Sequence, residues 1–287
     1  MPSTKELRVR IQSVKSTQQT TKAMKMVAAS KLKRAQSAIM NARPYALGLE
    51  RVVTNLVKGQ DLSHRLCQQS PEDKKVLYVV FSSDRGLCGG FNSGISKFSM
   101  NEYKQMDSST ETDILFVGKK AASYFRNRKY VEKFDIVGDL AKVGDYSYAK
   151  KFTDRLINFF ENEGYDKVYL LYNEFVSALS QDPKKVQLLP VKFETEASED
   201  LSDYIFKPNA GEIVDTLIDK HVYTQVHRAI LESLSSEHAA RMNAMENATK
   251  NAGEILKSLT LTYNKIRQAA ITTELIEITS GAEAIAN

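Results

Sequence analysis

The sequence has no tryptophan, and only two cysteines and six prolines in 287 residues. Cys67 and Cys88 cannot form a disulfide framework, which points to a reducing compartment. His64 and Cys67 make an isolated H-x-x-C with no second ligand pair nearby, so an ordinary polar loop is expected there rather than a metal site. No apolar run approaches the ~18 residues needed to span a bilayer. The first residues, MPSTKELRVRIQSVK, lack the apolar core of a secretory signal. They are basic and amphipathic, as a mitochondrial presequence would be, but the helical pattern runs on for tens of residues without a break. With 42% hydrophobic and 26% charged residues, the chain reads as soluble and foldable.

Proline and glycine are scarcest at the two ends. No proline lies between Pro2 and Pro44, and no glycine precedes Gly48. After Pro208 there is no further proline, and only Gly211, Gly253 and Gly281. Breakers this sparse predict two long helices around a mixed middle. The first shows apolar residues at Leu7, Ile11, Val14, Met24, Ala28, Leu32, Ala35 and Ile39, one face of a helix. Pro44 is expected to bend or interrupt it before it continues through LGLERVVTNLV. At the C-terminal end, Leu231, Leu234, His238, Arg241, Met245, Ala248, Ala252, Ile255, Leu259, Thr262, Ile266, Ala269, Thr273 and Ile276 alternate by threes and fours, a coiled-coil seam. His238 reads as a polar seam position that sets register.

A helix from residue 212 to about 280 would be roughly 100 Å long, too long for a core of this size to cover. The first helix is its natural antiparallel mate, and Ala28-Ala29-Ser30 would let the two backbones approach closely. The longer helix should then end as a single projecting segment. That segment carries Ile271, Leu275, Ile276, Ile278 and Ile285, so it needs a hydrophobic sleeve.

The middle alternates. VLYVVF (76–81), DILFVG (113–118), YVEKFDIV (130–137), KVYLLYNEF (167–175) and KVQLLPVKF (185–193) read as strands. ISKFSMNEYKQM, KKAASYFRN and YSYAKKFTDRLINFFENEG read as helices between them. The fold class expected is α/β with a mostly parallel sheet and an antiparallel edge at the last strand, joined to a long antiparallel coiled coil. The segments are 1–58 and 212–287 for the helices, 76–195 for the α/β domain, and linkers at 59–75 and 196–211.

Charge is uneven. The chain carries +5, but residues 1–58 hold twelve Lys and Arg against Glu6 and Glu50, a net of +10 that leaves −5 for the rest. Such a segment calls for an acidic partner. Lys22, Lys25, Lys31, Lys33 and Arg34 cluster over three turns. Nucleic acid is one candidate, but the middle domain shows no readout motif and the helix's apolar half is needed for pairing. Arg241 and Arg267 lie on or beside the seam and should meet a carboxylate or carbonyl.

One stretch, SSDRGLCGGFN (82–92), sits between a strand and a helix and suggests a phosphate-binding turn. It lacks the Lys-Ser/Thr of a P-loop, and Gly86, Gly89 and Gly90 do not fit G-x-G-x-x-G. An acid about 20 residues on, Asp107 or Glu111, would fall at the end of the first helix rather than after the second strand. Ser82, Ser83 and Cys88 could act as nucleophiles, but all four histidines lie outside the α/β middle. A nucleotide-binding α/β enzyme using this loop remains the alternative reading.

TKAMKMVAASKLKRAQ (21–36), SSDRGLCGGFN (82–92), SSEHAARMNAMENATKNA (235–252), LTYNKIRQA (261–269) and ITTELIEITSGAEA (271–284) together resemble the γ subunit of F-type ATP synthase. The likeness covers both ends and the centre in order. It implies a rotor shaft turning inside a head of three α and three β subunits. It also implies a Rossmann-like foot that docks with the ε subunit and the membrane's c-ring. Catalysis and nucleotide sites would belong to the head, chiefly β, so the chain itself would need no cofactor or metal.

By the same resemblance, Met24 matches a position near a β lever loop, and the basic face of Lys22, Lys25, Lys31, Lys33 and Arg34 is suited to that acidic loop. Arg241 matches a polar contact to a β catch loop. Arg267, Gln268, Thr272 and Glu274 match a second contact cluster and helix-tip positions. Two departures matter: there is no long insertion with regulatory cysteines, and Lys25 stands where some relatives have an acid. The start of the chain favours a bacterial protein on the cytoplasmic side of the plasma membrane over one in the mitochondrial matrix.

Overall fold

The computed structural model describes residues 3–58, 64–68, 70, 74–107, 109–126, 134–137, 146–192 and 210–286. In chain order the elements are α1 (Thr4–Lys58), a 3-10 turn (Arg65–Cys67), β1 (Lys75–Phe81), α2 (Phe91–Lys104), β2 (Glu111–Val117), α3 (Lys119–Arg126), β3 (Phe134–Val137), α4 (Tyr146–Asn162), β4 (Lys167–Phe175), β5 (Gln181–Leu189) and α5 (Ala210–Ala286). They divide into two compact units: residues 28–241, and the residues up to Val27 together with those from Met242 onward.

The larger unit is built on a five-stranded sheet in the order β3-β2-β1-β4-β5. β1 pairs in parallel with β2 and with β4, and β2 pairs in parallel with β3. β5 runs antiparallel along β4, as expected for the last strand. β1 is central and buried on both faces, which is why it reads as a continuous apolar run rather than an alternating one. Leu77, Val79 and Phe81 pack with α4, α1 and α5; Val76, Tyr78 and Val80 pack with α2 and α3. α4 buries Ala149, Phe152, Thr153, Leu156 and Ile157, a single helical stripe.

Two expectations shift. β5 covers Gln181–Leu189 rather than 185–193, because Pro190 has no N–H to donate to a ladder; Pro183 is tolerated because β5 lies at the edge. α1 runs unbroken through Pro44. Packing of Leu49, Val53 and Leu56 in the core beyond the proline offsets the lost backbone bond. The third strand begins at Phe134; its expected residues 130–133 lie outside the described residues, as do 193–209 and much of 59–75.

α1 opens with a reciprocal cap: the Ser3 N–H donates to Glu6 Oε2 (3.1 Å) and the Glu6 N–H to Ser3 Oγ (3.2 Å). The H-x-x-C segment proves to be a 3-10 turn capped by His64, whose Nδ1 accepts the Leu66 N–H at 3.1 Å. Burial raises the Cys67 thiol to about 11, which leaves it inert at neutral pH.

Two histidines give the larger unit a pH dependence. Burial pulls His221 down to about 4; burial, then Arg241 and Lys31, pull His238 down to about 4. The unfolded chain, titrating near 6.5, therefore takes up these protons first as pH falls. This stability is complete above about pH 6.5 and drains toward pH 4, by about 3 kcal/mol per histidine. Burial raises the Glu237 carboxyl, which opposes part of the loss. The urea midpoint of the chain should fall between pH 7 and pH 5; a flat midpoint would contradict these burial effects.

Candidate functional site

The turn after β1 is held from inside. Ser83 Oγ donates to the Arg85 carbonyl at 2.6 Å, and Asn92 Oδ1 accepts the Ser83 N–H at 3.0 Å. Asn92 Nδ2 donates to Ser83 Oγ (2.8 Å), Cys88 Sγ (3.1 Å) and the Arg85 carbonyl (3.5 Å). Leu87 and Gly89 take positive φ, 63° and 55°, which tightens the turn. Asp84 accepts the Lys119 N–H at 3.0 Å, so its carboxylate meets the start of α3.

In a sheet of this topology, ligands bind at the carboxyl ends of the strands where the order reverses, here between β1 and β4. That place is taken by the chain's own α5. Ser236 Oγ donates to the Asn173 carbonyl at 3.0 Å, and Glu232 Oε2 accepts the Phe175 N–H at 3.4 Å, both at the end of β4. Arg241 Nη2 donates to the Gly86 carbonyl at 3.3 Å, and Ala240 packs with Cys88 and Phe91. From Ala229 to Glu237 every α5 residue is buried, and the small side chains of Ser233, Ser235 and Ser236 allow that close approach.

A cleft of about 410 Å³ lies nearby between α1, α5 and the end of β4. Arg43, Glu50, Glu174, Arg228 and Glu232 line it, and Arg228 Nε donates to Glu232 Oε1 at 3.0 Å.

In the smaller unit the helices run antiparallel, since Gln18 and Thr21 both meet Thr249 and Lys25, further along α1, meets the earlier Glu246. Gln18 Nε2 donates to the Thr249 carbonyl at 3.4 Å, Thr21 and Thr249 hydroxyls lie 2.8 Å apart, and Lys25 Nζ pairs with Glu246 Oε2 at 3.3 Å. A Cβ on Gly253 would stand 3.0 Å from Gln18 Nε2, so glycine leaves room for the amide. This polar layer fixes register here, whereas His238, in the larger unit, has an Nδ1 with no hydrogen-bond partner among the described residues. The seam also drifts from the expected one: Ile255 is 50% exposed and Leu256 turns inward, with Leu259, Tyr263 and Ile266 following. The register continues in steps of four and three from Ala252, so Ile255 and Thr262 fall outside it.

A groove of about 370 Å³ in this unit is lined by Lys22, Lys25 and Lys250 against a single carboxylate, Glu246. Met24 is half-buried and does not line this groove. Further along α5, Arg267, Gln268, Thr272 and Glu274 are exposed; Arg267 lies over the Tyr263 ring and Thr272 Oγ1 donates to the Gln268 carbonyl. Ile271, Leu275, Ile276 and Ile278 are also exposed there, at 49–63%.

The structure does not gather all the expected site residues. Lys31, Lys33 and Arg34 are exposed and belong with Arg241 to the larger unit, whereas Lys22, Met24, Lys25 and the residues 267–274 belong to the smaller one. Arg241 meets both a carboxylate and a carbonyl, as its place near the seam required: Nη1 lies 2.6 Å from Glu237 Oε1. The i,i+4 spacing of Glu237 and Arg241 would have disclosed that pair; nothing in the sequence discloses the Gly86 carbonyl or the Thr21–Thr249 contact. Among the described residues, no group of three or more His, Cys, Asp or Glu could hold a metal ion, and no helix is long and apolar enough to cross a membrane.

A family model described as ATP synthase matches residues 3–285. The chain is 46% identical over 294 residues to the ATP synthase gamma chain of Bdellovibrio bacteriovorus, and 46% identical over 287 residues to that of Geobacter metallireducens, covering 99% of each chain in both cases. Among solved structures it resembles a chain in the central stalk and c-ring of the Tetrahymena thermophila mitochondrial ATP synthase, with TM-score 0.59, 29% identity, and coverage of 79% of this chain and 98% of that one. A chain of the Euglena gracilis mitochondrial ATP synthase shares the fold, with TM-score 0.67, 21% identity, and coverage of 98% and 94%.

Proposed function

Because the chain belongs to the ATP synthase gamma chain family and is the central-stalk rotor subunit of that complex, we propose that it couples rotation to catalysis without catalysing anything itself. In this reading the catalytic sites belong to β, and the shaft is an asymmetric cam. Each β site meets a different face of the shaft, and differential contact energy holds the three sites out of step. Ion flow turns the ring and the shaft to drive synthesis, and hydrolysis drives them back, as reciprocal coupling requires. The partners are the α and β subunits, the ε subunit and the c-ring, one copy of the chain per complex. The complex is membrane-bound; the bacterial relatives favour the plasma membrane, with this chain peripheral on its cytoplasmic side.

One observation carries this reading. α5 continues past its pairing with α1 into a stretch where four large aliphatic side chains stand exposed. A single helix with that surface is complementary to a hydrophobic sleeve. The basic groove lined by Lys22, Lys25 and Lys250 suits an acidic lever loop, and Arg241, Arg267, Gln268, Thr272 and Glu274 supply the polar contacts. The nucleotide-enzyme alternative is weakened because α5 fills the crevice it would use.

The isolated chain should show no ATPase activity and should restore coupled activity when added to α and β. Tight, stoichiometric ATP binding by the chain alone would count against the rotor reading. Met24→Lys should preserve assembly but lower the ions pumped per ATP, because it adds a positive charge to the contact with an acidic loop. Normal pumping per ATP in that variant would remove Met24 from the contact.

A further inference from the structure

The turn 82–92 is densely hydrogen-bonded by its own side chains. Ser83 and Asn92 both bond the Arg85 carbonyl, which fixes the peptide leading to Gly86. The Gly86 carbonyl then accepts from Arg241, whose other terminal nitrogen lies 2.6 Å from Glu237. The Arg241 side chain is only 13% exposed, and Glu237 is buried beside it. Of the five N–H donors on a guanidinium, these two bonds commit two, and the planar fork leaves the others at fixed angles. A long side chain that would otherwise sample many rotamers is thus locked before any partner arrives.

We propose that the turn 82–92 is a positioning latch, in which Ser83 and Asn92 hold the Arg85 carbonyl and so place the adjoining Gly86, whose carbonyl together with Glu237 orients Arg241 toward an acidic loop of the head. The proposal rests on the rotor reading, and specifically on Arg241 as a head contact. Asn92 and Ser83 are positioning residues: they touch no partner and act through Arg241. Burial raises the Glu237 carboxyl, and the Arg241 guanidinium it holds opposes that rise.

The test is a double-mutant cycle in the reconstituted complex, read as ions pumped per ATP hydrolysed. Arg241→Ala should lower that ratio about tenfold, the loss of one charge-assisted bond. Asn92→Ala should lower it by about a third to a half of that effect on a logarithmic scale, and should do nothing further in the Arg241→Ala background. Asn92→Asp keeps the acceptor for Ser83 but loses the donors to the Arg85 carbonyl and Cys88, so it should behave like Asn92→Ala even where the alanine variant folds poorly. Losses that multiply in the double variant would overturn the latch, since a merely structural role adds independently. So would wild-type pumping in Asn92→Asp. Normal pumping in Arg241→Ala would remove the head contact, and the latch with it, whatever Asn92 does.

Discussion

Gly118→Ala should lower the unfolding free energy of the larger unit by about 3–5 kcal/mol, combining backbone strain with overpacking. Gly118 follows β2 with φ at +97°, a conformation that side-chain-bearing residues rarely adopt. A Cβ built there would stand 2.1 Å from the Ser82 carbonyl oxygen and 2.7 Å from its carbon. Neither atom can yield, because both belong to the backbone just after β1. The Ser82 N–H bonds the Val117 carbonyl at 2.7 Å, and Ser82 Oγ donates to the Gly118 carbonyl at 3.2 Å while accepting the Ala121 N–H at 3.2 Å. Accommodating the methyl therefore means parting β1 from β2 at the root of the turn 82–92. Urea unfolding of the chain checks it, with Gly90→Ala as control, since a Cβ there meets nothing within 4 Å. Equal midpoints for the two variants would show that the close approach does not constrain the fold.

Ile276→Asp should leave the isolated chain's stability within about 0.5 kcal/mol but weaken its association with the α/β head by about thirtyfold or more. The contrast separates what the residue does in the chain from what it does in the complex. In the chain Ile276 is 58% exposed on the helix, and substitution at a solvated position removes little packing. In a hydrophobic sleeve the same position would bury an unpaired carboxylate, and that penalty of about 2–3 kcal/mol appears only on binding. Titrating labelled chain against α and β measures it. Unchanged affinity would mean that the aliphatic end of α5 is not enclosed by the head, and the exposed side chains would then need another occupant.

Much of the fold was legible because the physics behind it is periodic. The absence of breakers disclosed α1 and α5 almost to their ends, and the doubly buried strands β1 and β4 read as apolar runs. β5 was misplaced because an edge strand tolerates lysines and Pro183, so its own pattern is weak. Ile255 was placed in the seam because both it and Leu256 are aliphatic, and only the partner helix decides which turns inward. The site divides in the same way. Its charged residues stand out by type, and Arg241 could be singled out by its position. What holds Arg241 depends on a backbone carbonyl 155 residues away, and backbone contacts leave no signature in side-chain chemistry. The occupied crevice was hidden for a related reason: serines in a long helix look solvated until the carboxyl end of a strand is laid against them.

The central proposal is that this chain turns within the complex and couples its rotation to catalysis in the head. The most direct measurement fixes the α/β head to a surface, attaches a probe to the larger unit of the chain, and supplies ATP. The account predicts continuous one-way rotation of the probe, in three steps per turn, ceasing when ATP is removed. Steady hydrolysis by the assembled complex with a stationary probe would contradict it.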